Sequence, residues 1–252
     1  PSFSELNMPL AFDDVIDQPH GLVLVCGAAG SGKSTTLAAL AQQLLKKRSV
    51  LLVTLEDPIE YALTPGPQSL VRRRQIGRDV PDFPSGLRDA LRADPEVLLV
   101  GEMRDPESIT LALTAAETGH LVITSLHTPD VPRAIGRLVG LFPSDEQETV
   151  RARLADNLQA VVALRLLLRA DAAGLIPAVE ALLATSTVRE MIRDAARIKE
   201  LKPYMETAGA DLGMHSFDQY LYKLHEARRI SLDTALGNAT NRADLERRIL
   251  IE

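Results

Sequence analysis

The chain has 252 residues, 46% hydrophobic and 25% charged, with a net charge of −6; this suits one large or two modest packed domains and argues against a protein that coats nucleic acid. Trp is absent and there are four Tyr and five Phe, which leaves little for base-stacking platforms. A single cysteine, Cys26, excludes an internal disulfide and a four-cysteine zinc site, and no apolar run reaches the roughly 20 residues of a membrane span. Without a basic-then-apolar leader, the expected location is the cytoplasm.

Leu22–Cys26 reads as a buried strand, with Cys26 part of its packing. Residues 27–34, GAAGSGKS, follow at once and fit G-x-x-x-x-G-K-[ST]. The helical stretch Ser34–Lys47 comes next, so strand, loop and helix stand in the order a phosphate cradle needs. Glycines let backbone N–H groups turn toward phosphate oxygens, and the helix N-terminus adds positive potential. Lys33 can reach the β- and γ-phosphates and Ser34 can place its hydroxyl on Mg²⁺. Gly27, Ala28, Ala29, Gly30, Ser31, Gly32, Lys33, Ser34 and Thr35 form the candidate nucleotide-binding set.

Val50–Glu56 reads as the second strand, and LEDPIEY (55–61) places Glu56, Asp57 and Glu60 at its end, with Pro58 stiffening the turn. Residues 57–83, with Pro58, Pro65, Gly66, Pro67 and Pro81, read as a long irregular connection. Pro84–Arg92 is a predicted helix and Val97–Gly101 a predicted strand that stops on Glu102. Phosphoryl transfer needs a carboxylate at a strand end beside the phosphate loop, to hold Mg²⁺ or polarise the attacking water. Glu102 fits that need.

Pro106–Thr118 is the next helix and Leu121–Leu126 the next strand, bracketed by His120 and His127. Odd spacing puts those two rings on opposite faces of a regular strand, a poor metal pair. His127, at the carboxyl end, can sense a γ-phosphate. This β-α alternation predicts a mostly parallel α/β sheet with helices on both faces and its ligand beyond the carboxyl strand ends. Beyond it come two helices, strands near Ala160–Leu168 and Ile176–Leu183 joined by RADAAG, and a helical tail over Val188–Asp194, Ile198–Thr207, Ser216–Ala227, Ser231–Gly237 and Arg242–Ile249.

Together GAAGSGKSTTLAAL, TLEDPIEY, LRADPEVLLVGEMRDPESITLALTAAETGHLVITSLHT and Leu141–Pro143 resemble the secretion-ATPase superfamily, and within it the type IV pilus retraction ATPases (PilT and PilU types). The four boxes are a Walker A, an Asp box, a Walker B ending in Gly-Glu and a His box. The tail segment GNATNRADLERRI leans toward the PilU type. The resemblance implies a RecA-like P-loop NTPase core over 21–185, a helical C-terminal subdomain over 186–252, and a lead-in over 1–20 from an N-terminal PAS-like domain.

It also implies that ATP and Mg²⁺ are the ligands, with Lys33, Glu60, Glu102 and His127 catalytic, Glu60 activating water, and Ser34 and Glu102 at the metal. Arg74, Arg78 and His120 join the nucleotide-binding set. VREMIRD (188–194), with Arg189 and Arg193, resembles a C-terminal motif these motors need for retraction. VRRRQIGRD (71–79) departs from the family's VNQREVHRD: Arg74 and Arg78 match, but Gln75 replaces a glutamate. Arg72, Arg73, Arg74 and Arg78, with Arg88 and Arg92 nearby, read as charge neutralisers in a neighbouring subunit, as a solvated or internally paired loop, or as a nucleic-acid patch.

The implied partners are further copies in a homohexamer, an inner-membrane pilus platform protein and related pilus ATPases, with no nucleic acid. An accessory subunit with weak hydrolysis is the alternative reading, and a nucleic-acid-dependent ATPase the more distant one.

Overall fold

The structure, a computed structural model, describes Leu6 and residues 11–251. Its elements run α1 (Ala11–Val15), β1 (Gly21–Gly27), α2 (Lys33–Lys47), β2 (Leu51–Glu56), β3 (Leu70–Gln75), α3 (Phe83–Leu91), β4 (Val97–Val100), α4 (Pro106–Glu117) and β5 (Leu121–Leu126). They continue with α5 (Val131–Gly140), α6 (Gln147–Asn157), β6 (Leu158–Leu168), β7 (Leu175–Leu183), α7 (Ser186–Arg193), α8 (Leu201–Glu206), α9 (Phe217–Glu226), α10 (Leu232–Gly237) and α11 (Arg242–Ile251). One seven-stranded sheet has the order β3-β2-β4-β5-β1-β6-β7. Every neighbouring pair is parallel except β6–β7, an antiparallel hairpin. This is the RecA-like α/β core expected from the sequence, with the small helical subdomain α7–α11 after it.

The central strands are mostly apolar because both faces are covered, with Thr54, Thr124 and Ser125 the buried hydroxyls among them. Every residue of β1, β4 and β5 is buried. One face packs on α1 and α2 through Phe12, Ile16, Leu40 and Leu44, all fully buried. The other packs on α3–α6 and the C-terminal helices. Each such leucine withdrawn from water contributes about 2 kcal/mol. Helices α3, α4 and α5 start at aspartates, Asp82, Asp105 and Asp130, each accepting a first-turn N–H, with a proline at the first or second position. Aspartate satisfies an orphan donor, and proline has none to satisfy.

Two local expectations change. Residues 57–83 are not wholly irregular, because Leu70–Gln75 forms the edge strand β3, hydrogen-bonded to β2. The expected helix Ile198–Thr207 divides into a 3-10 turn, Ala195–Glu200, and the α-helix α8. In the lead-in, residues 1–5 and 7–10 lie outside the described residues, while α1 packs on the core through Phe12 and Ile16.

Candidate functional site

The carboxyl ends of β1, β2, β4 and β5 open on one cavity of about 280 Å³, lined by Ala29, Gly30, Lys33, Ser34, Glu56, Asp57, Glu60, Tyr61, Glu102, Arg104 and His127 among others. The phosphate loop enters from β1. A Cβ on Gly27 would lie 2.1 Å from Ser31 Oγ and 2.9 Å from Leu164 O, so only glycine lets the loop close over its own strand. Gly32 has φ 97°, a left-handed turn that starts α2. Among the described residues no side chain caps α2 there, in contrast to α3–α5. Its first-turn N–H groups therefore face the cavity with no side-chain acceptor.

Lys33 Nζ folds back on the loop, donating to Gly27 O (3.0 Å) and Ala28 O (2.9 Å). Burial pushes its pKa down, against the pull of Glu102. The ammonium lies 3.4 Å from His127 Nδ1, and His127 Nε2 lies 3.1 Å from Glu102 Oε2. The other oxygen of Glu102 is paired with Arg104. A continuous polar chain thus runs Lys33–His127–Glu102–Arg104 across β1, β5 and β4. Opposite it, Ser34 Oγ donates to Glu60 Oε1 (3.1 Å), and Thr35 Oγ1 lies 2.7 Å from Tyr61 Oη. The segment carrying Glu60 is thereby tied to the first turn of α2. Gln75 Oε1 accepts from Ile59 N (3.4 Å), so the residue that replaces the family glutamate supports the same segment.

The structure brings Lys33, Ser34, Glu60, Glu102 and His127 together, with Gly27–Gly32 and Thr35 around them. It does not bring the remaining three candidates. His120 sits at the amino end of β5, away from His127, with its Nδ1 3.0 Å from Ala115 O and its backbone N–H donating to the same carbonyl. It closes the α4–β5 turn and is not a nucleotide contact within this chain. Arg74 lies 4.0 Å from Asp89 and Arg78 lies 3.8 Å from Asp79; neither lines the cavity. It is Arg73 that reaches inward, pairing with Glu56 at 3.1 Å. In VREMIRD, Arg189 donates to the Ala155 and Asp156 carbonyls and Arg193 pairs with Asp156, so both arginines clasp the C-terminal end of α6. Carbonyls left over at a helix end favour such cations.

Sequence reasoning left out Arg104 and Tyr61. Tyr61 stood inside the LEDPIEY motif without a role. Arg104 is two residues past Glu102, and only the bend after β4 shows that it turns back.

The site fits a nucleotide with magnesium. Its helix start is uncapped, its ammonium waits on backbone carbonyls, and among the described residues Ser31 Oγ is buried with no hydrogen-bond partner. Among the described residues no group of three or more His, Cys, Asp or Glu could hold a metal ion by itself. A magnesium ion here would lean on Ser34, water and phosphate oxygens, its usual company in such sites.

A mostly parallel sheet, a glycine-rich loop opening a helix after the interior strand β1, and acids on nearby strand ends define a P-loop nucleotide-binding protein. The model of the Type II/IV secretion system protein family matches residues 3–215, and the chain belongs to that family. It is 41% identical to a twitching motility protein of Neisseria gonorrhoeae over 95% of this chain and 63% of that protein. It is 42% identical to the type IV pilus retraction ATPase PilT of Pseudomonas aeruginosa, over 94% of this chain and 68% of that one. The crystal structure of the pilus retraction motor PilT with bound ADP superposes with a TM-score of 0.88 at 38% identity, covering 98% of this chain and 69% of that one. The chain therefore spans about two thirds of the length of these relatives.

Proposed function

We propose that this chain is the motor part of an ATP-hydrolysing ring machine that retracts type IV pili. The observation that carries the reading is the convergence of Lys33, Ser34, Glu60, Glu102 and His127 on one cavity at the carboxyl strand ends. The backbone of residues 27–32 and the start of α2 would cradle the β-phosphate. Lys33 would exchange its carbonyl partners for phosphate oxygens, a stronger charge-assisted contact. Glu60, held by Ser34, would take the proton of the attacking water. His127, bridging Lys33 and Glu102, would register the presence of the γ-phosphate. Ser34 would hold a magnesium ion, which would supply positive charge to the transferring phosphoryl group.

Residues 21–185 serve as the catalytic core and 186–252 as the helical subdomain in this reading. Arg74, half-buried on β3, and Arg78, exposed just past its end, do not line this chain's own cavity, which supports a role for them across a subunit boundary. Among the described residues no helix is long and apolar enough to cross a membrane, which suits a machine docked on the cytoplasmic side of a pilus base.

The test is turnover of ATP with magnesium by the purified chain and by Lys33→Ala and Glu60→Gln. Turnover that both substitutions abolish supports the reading, and turnover that survives Lys33→Ala overturns it. Specific activity should fall on dilution if the ring completes the site. Stimulation by DNA with steep salt dependence would instead mark a nucleic-acid-dependent enzyme.

A further inference from the structure

Glu180 is 3% exposed, lies in the middle of β7, and takes no part in the hydrolytic reading above. A carboxylate this deeply buried must be hydrogen-bonded to persist. Its place in the sheet is specific. Leu126 of β5 pairs with Cys26 of β1, Cys26 with Ala163 of β6, and Ala163 with Glu180. Glu180 thus ends the row that stands one residue before Gly27 and His127.

Its two oxygens go to the starts of two helices. One accepts from Val131 N at 2.7 Å, the first residue of α5; the other accepts from Phe217 N at 3.4 Å, the first residue of α9. At α5 the first three helical positions are all accounted for. Glu180 takes Val131 N–H, Pro132 has none, and Asp130 Oδ1 takes Arg133 N–H at 2.9 Å. Helix α5 begins four residues after His127, whereas α9 belongs to the C-terminal subdomain. One carboxylate therefore bridges the loop that carries the γ-phosphate sensor and the subdomain that follows the core.

We propose that Glu180 is a positioning residue of the nucleotide site, through which the His127 loop and the C-terminal subdomain hold each other in register. This rests on the reading of the cavity as a hydrolytic site. If α9 moves, the carboxylate must follow it or release it, and either choice alters the support under α5. A helix start favours negative charge, so both contacts are strongest with Glu180 ionised. The charged groups around it are Asp130 at the α5 cap, Arg165 on β6 and Lys202 on α8, with the neutral Cys26 thiol on β1. Burial, joined by Asp130, pushes the carboxyl up to about 7, which puts a change in this strut within the working range of an enzyme.

The test compares the chain with Glu180→Gln, which keeps the shape but turns an N–H₂ toward one of the two donors. Amide exchange should accelerate at Val131 and through residues 127–130 as well as at Phe217. Turnover should fall about tenfold, the size expected for coupling between linked elements, with KM and ADP affinity unchanged. The parent chain should show a step in turnover near pH 7, and the variant should lack it. Exchange that accelerates at Phe217 alone, or turnover and pH profile equal to the parent's, would overturn the proposal. If Glu180→Gln does not fold, exchange in the parent chain decides. Corrected for intrinsic rates, protection at Val131 and Phe217 should change together between pH 6 and pH 8, and independent change refutes the link. Because exchange needs no turnover, a chain that does not hydrolyse ATP would defeat the functional reading and leave this one measurable.

Discussion

Where β7 meets the C-terminal helices, two buried titratable groups pull stability in opposite directions with pH. Glu180 titrates near 7 in the folded chain against an ordinary 4.5, because burial opposes its charge. Between those values the folded chain keeps a proton that the unfolded chain releases. Stability from this group is therefore fully present below about 4.5 and lost as pH rises to 7. At about 1.4 kcal/mol per pH unit the loss is about 3 kcal/mol.

His215 does the reverse. Burial pushes its pKa down to about 4 from 6.5, with Lys223 adding to the effect. Its ring stacks on Tyr220 at a centroid distance of 4.9 Å. Between 4 and 6.5 the unfolded chain holds the extra proton, so stability rises with pH by about 3 kcal/mol. The windows overlap, and the parent chain should show little net slope from these two groups between pH 4.5 and 6.5. Glu180→Gln removes one side of the balance, and the variant should lose about 3 kcal/mol on acidification from pH 6.5 to 4 relative to its value at neutrality. His215→Phe keeps the stack and removes the other side, so stability should climb by a similar amount as pH falls from 7 to 4.5. Urea unfolding at closely spaced pH values, followed by far-ultraviolet circular dichroism because the chain has no Trp, reads both slopes. Single-variant curves that superimpose on the parent's would refute the assignment of both pKa values to burial.

Further outcomes follow from the same geometry. Lys33→Ala should weaken nucleotide binding about a hundredfold, the worth of two charge-assisted hydrogen bonds, measured by titration calorimetry with ADP. Glu60→Gln should lower kcat about a hundredfold or more while nucleotide affinity stays near the parent value, as loss of a general base requires; steady-state and binding assays together check it. Leu44→Ala, opening the fully buried contact of α2 on the sheet, should cost about 3 kcal/mol in denaturant unfolding. Asp130→Ala, which leaves Arg133 N–H without its cap, should cost about 1 kcal/mol in the same assay.

The parts legible in the sequence are those where one physical demand dominates. Parallel strands buried on both faces need near-continuous apolar runs, so Leu22–Cys26, Val97–Val100 and Leu121–Ile123 with Leu126 are legible. The phosphate loop was readable because its glycines and Lys33 have few other uses in that order. Strand β3 hid because an edge strand needs only one neighbour. Its LVRRRQ leaves Leu70 64% exposed and sends Arg73 to Glu56, a pattern that looks like a basic loop. Strand direction, readable from the sequence, puts His127 at the open end; the contact of His120 with the Ala115 carbonyl at the other end is a tertiary detail the motif does not carry. Glu180 was passed over because a carboxylate inside the run Leu175–Leu183 gives no sign of partners more than thirty residues away in either direction.

Cys26, the chain's single thiol, is fully enclosed between β5 and β6, and burial pushes it up to about 12. A sulfur that stays protonated and out of reach ignores maleimides and mild oxidants. The exterior is thus already a blank slate for chemistry. A fluorophore or spin label carried by one introduced cysteine on α9, and another near His127, would report subdomain motion during turnover with no background from the native sequence.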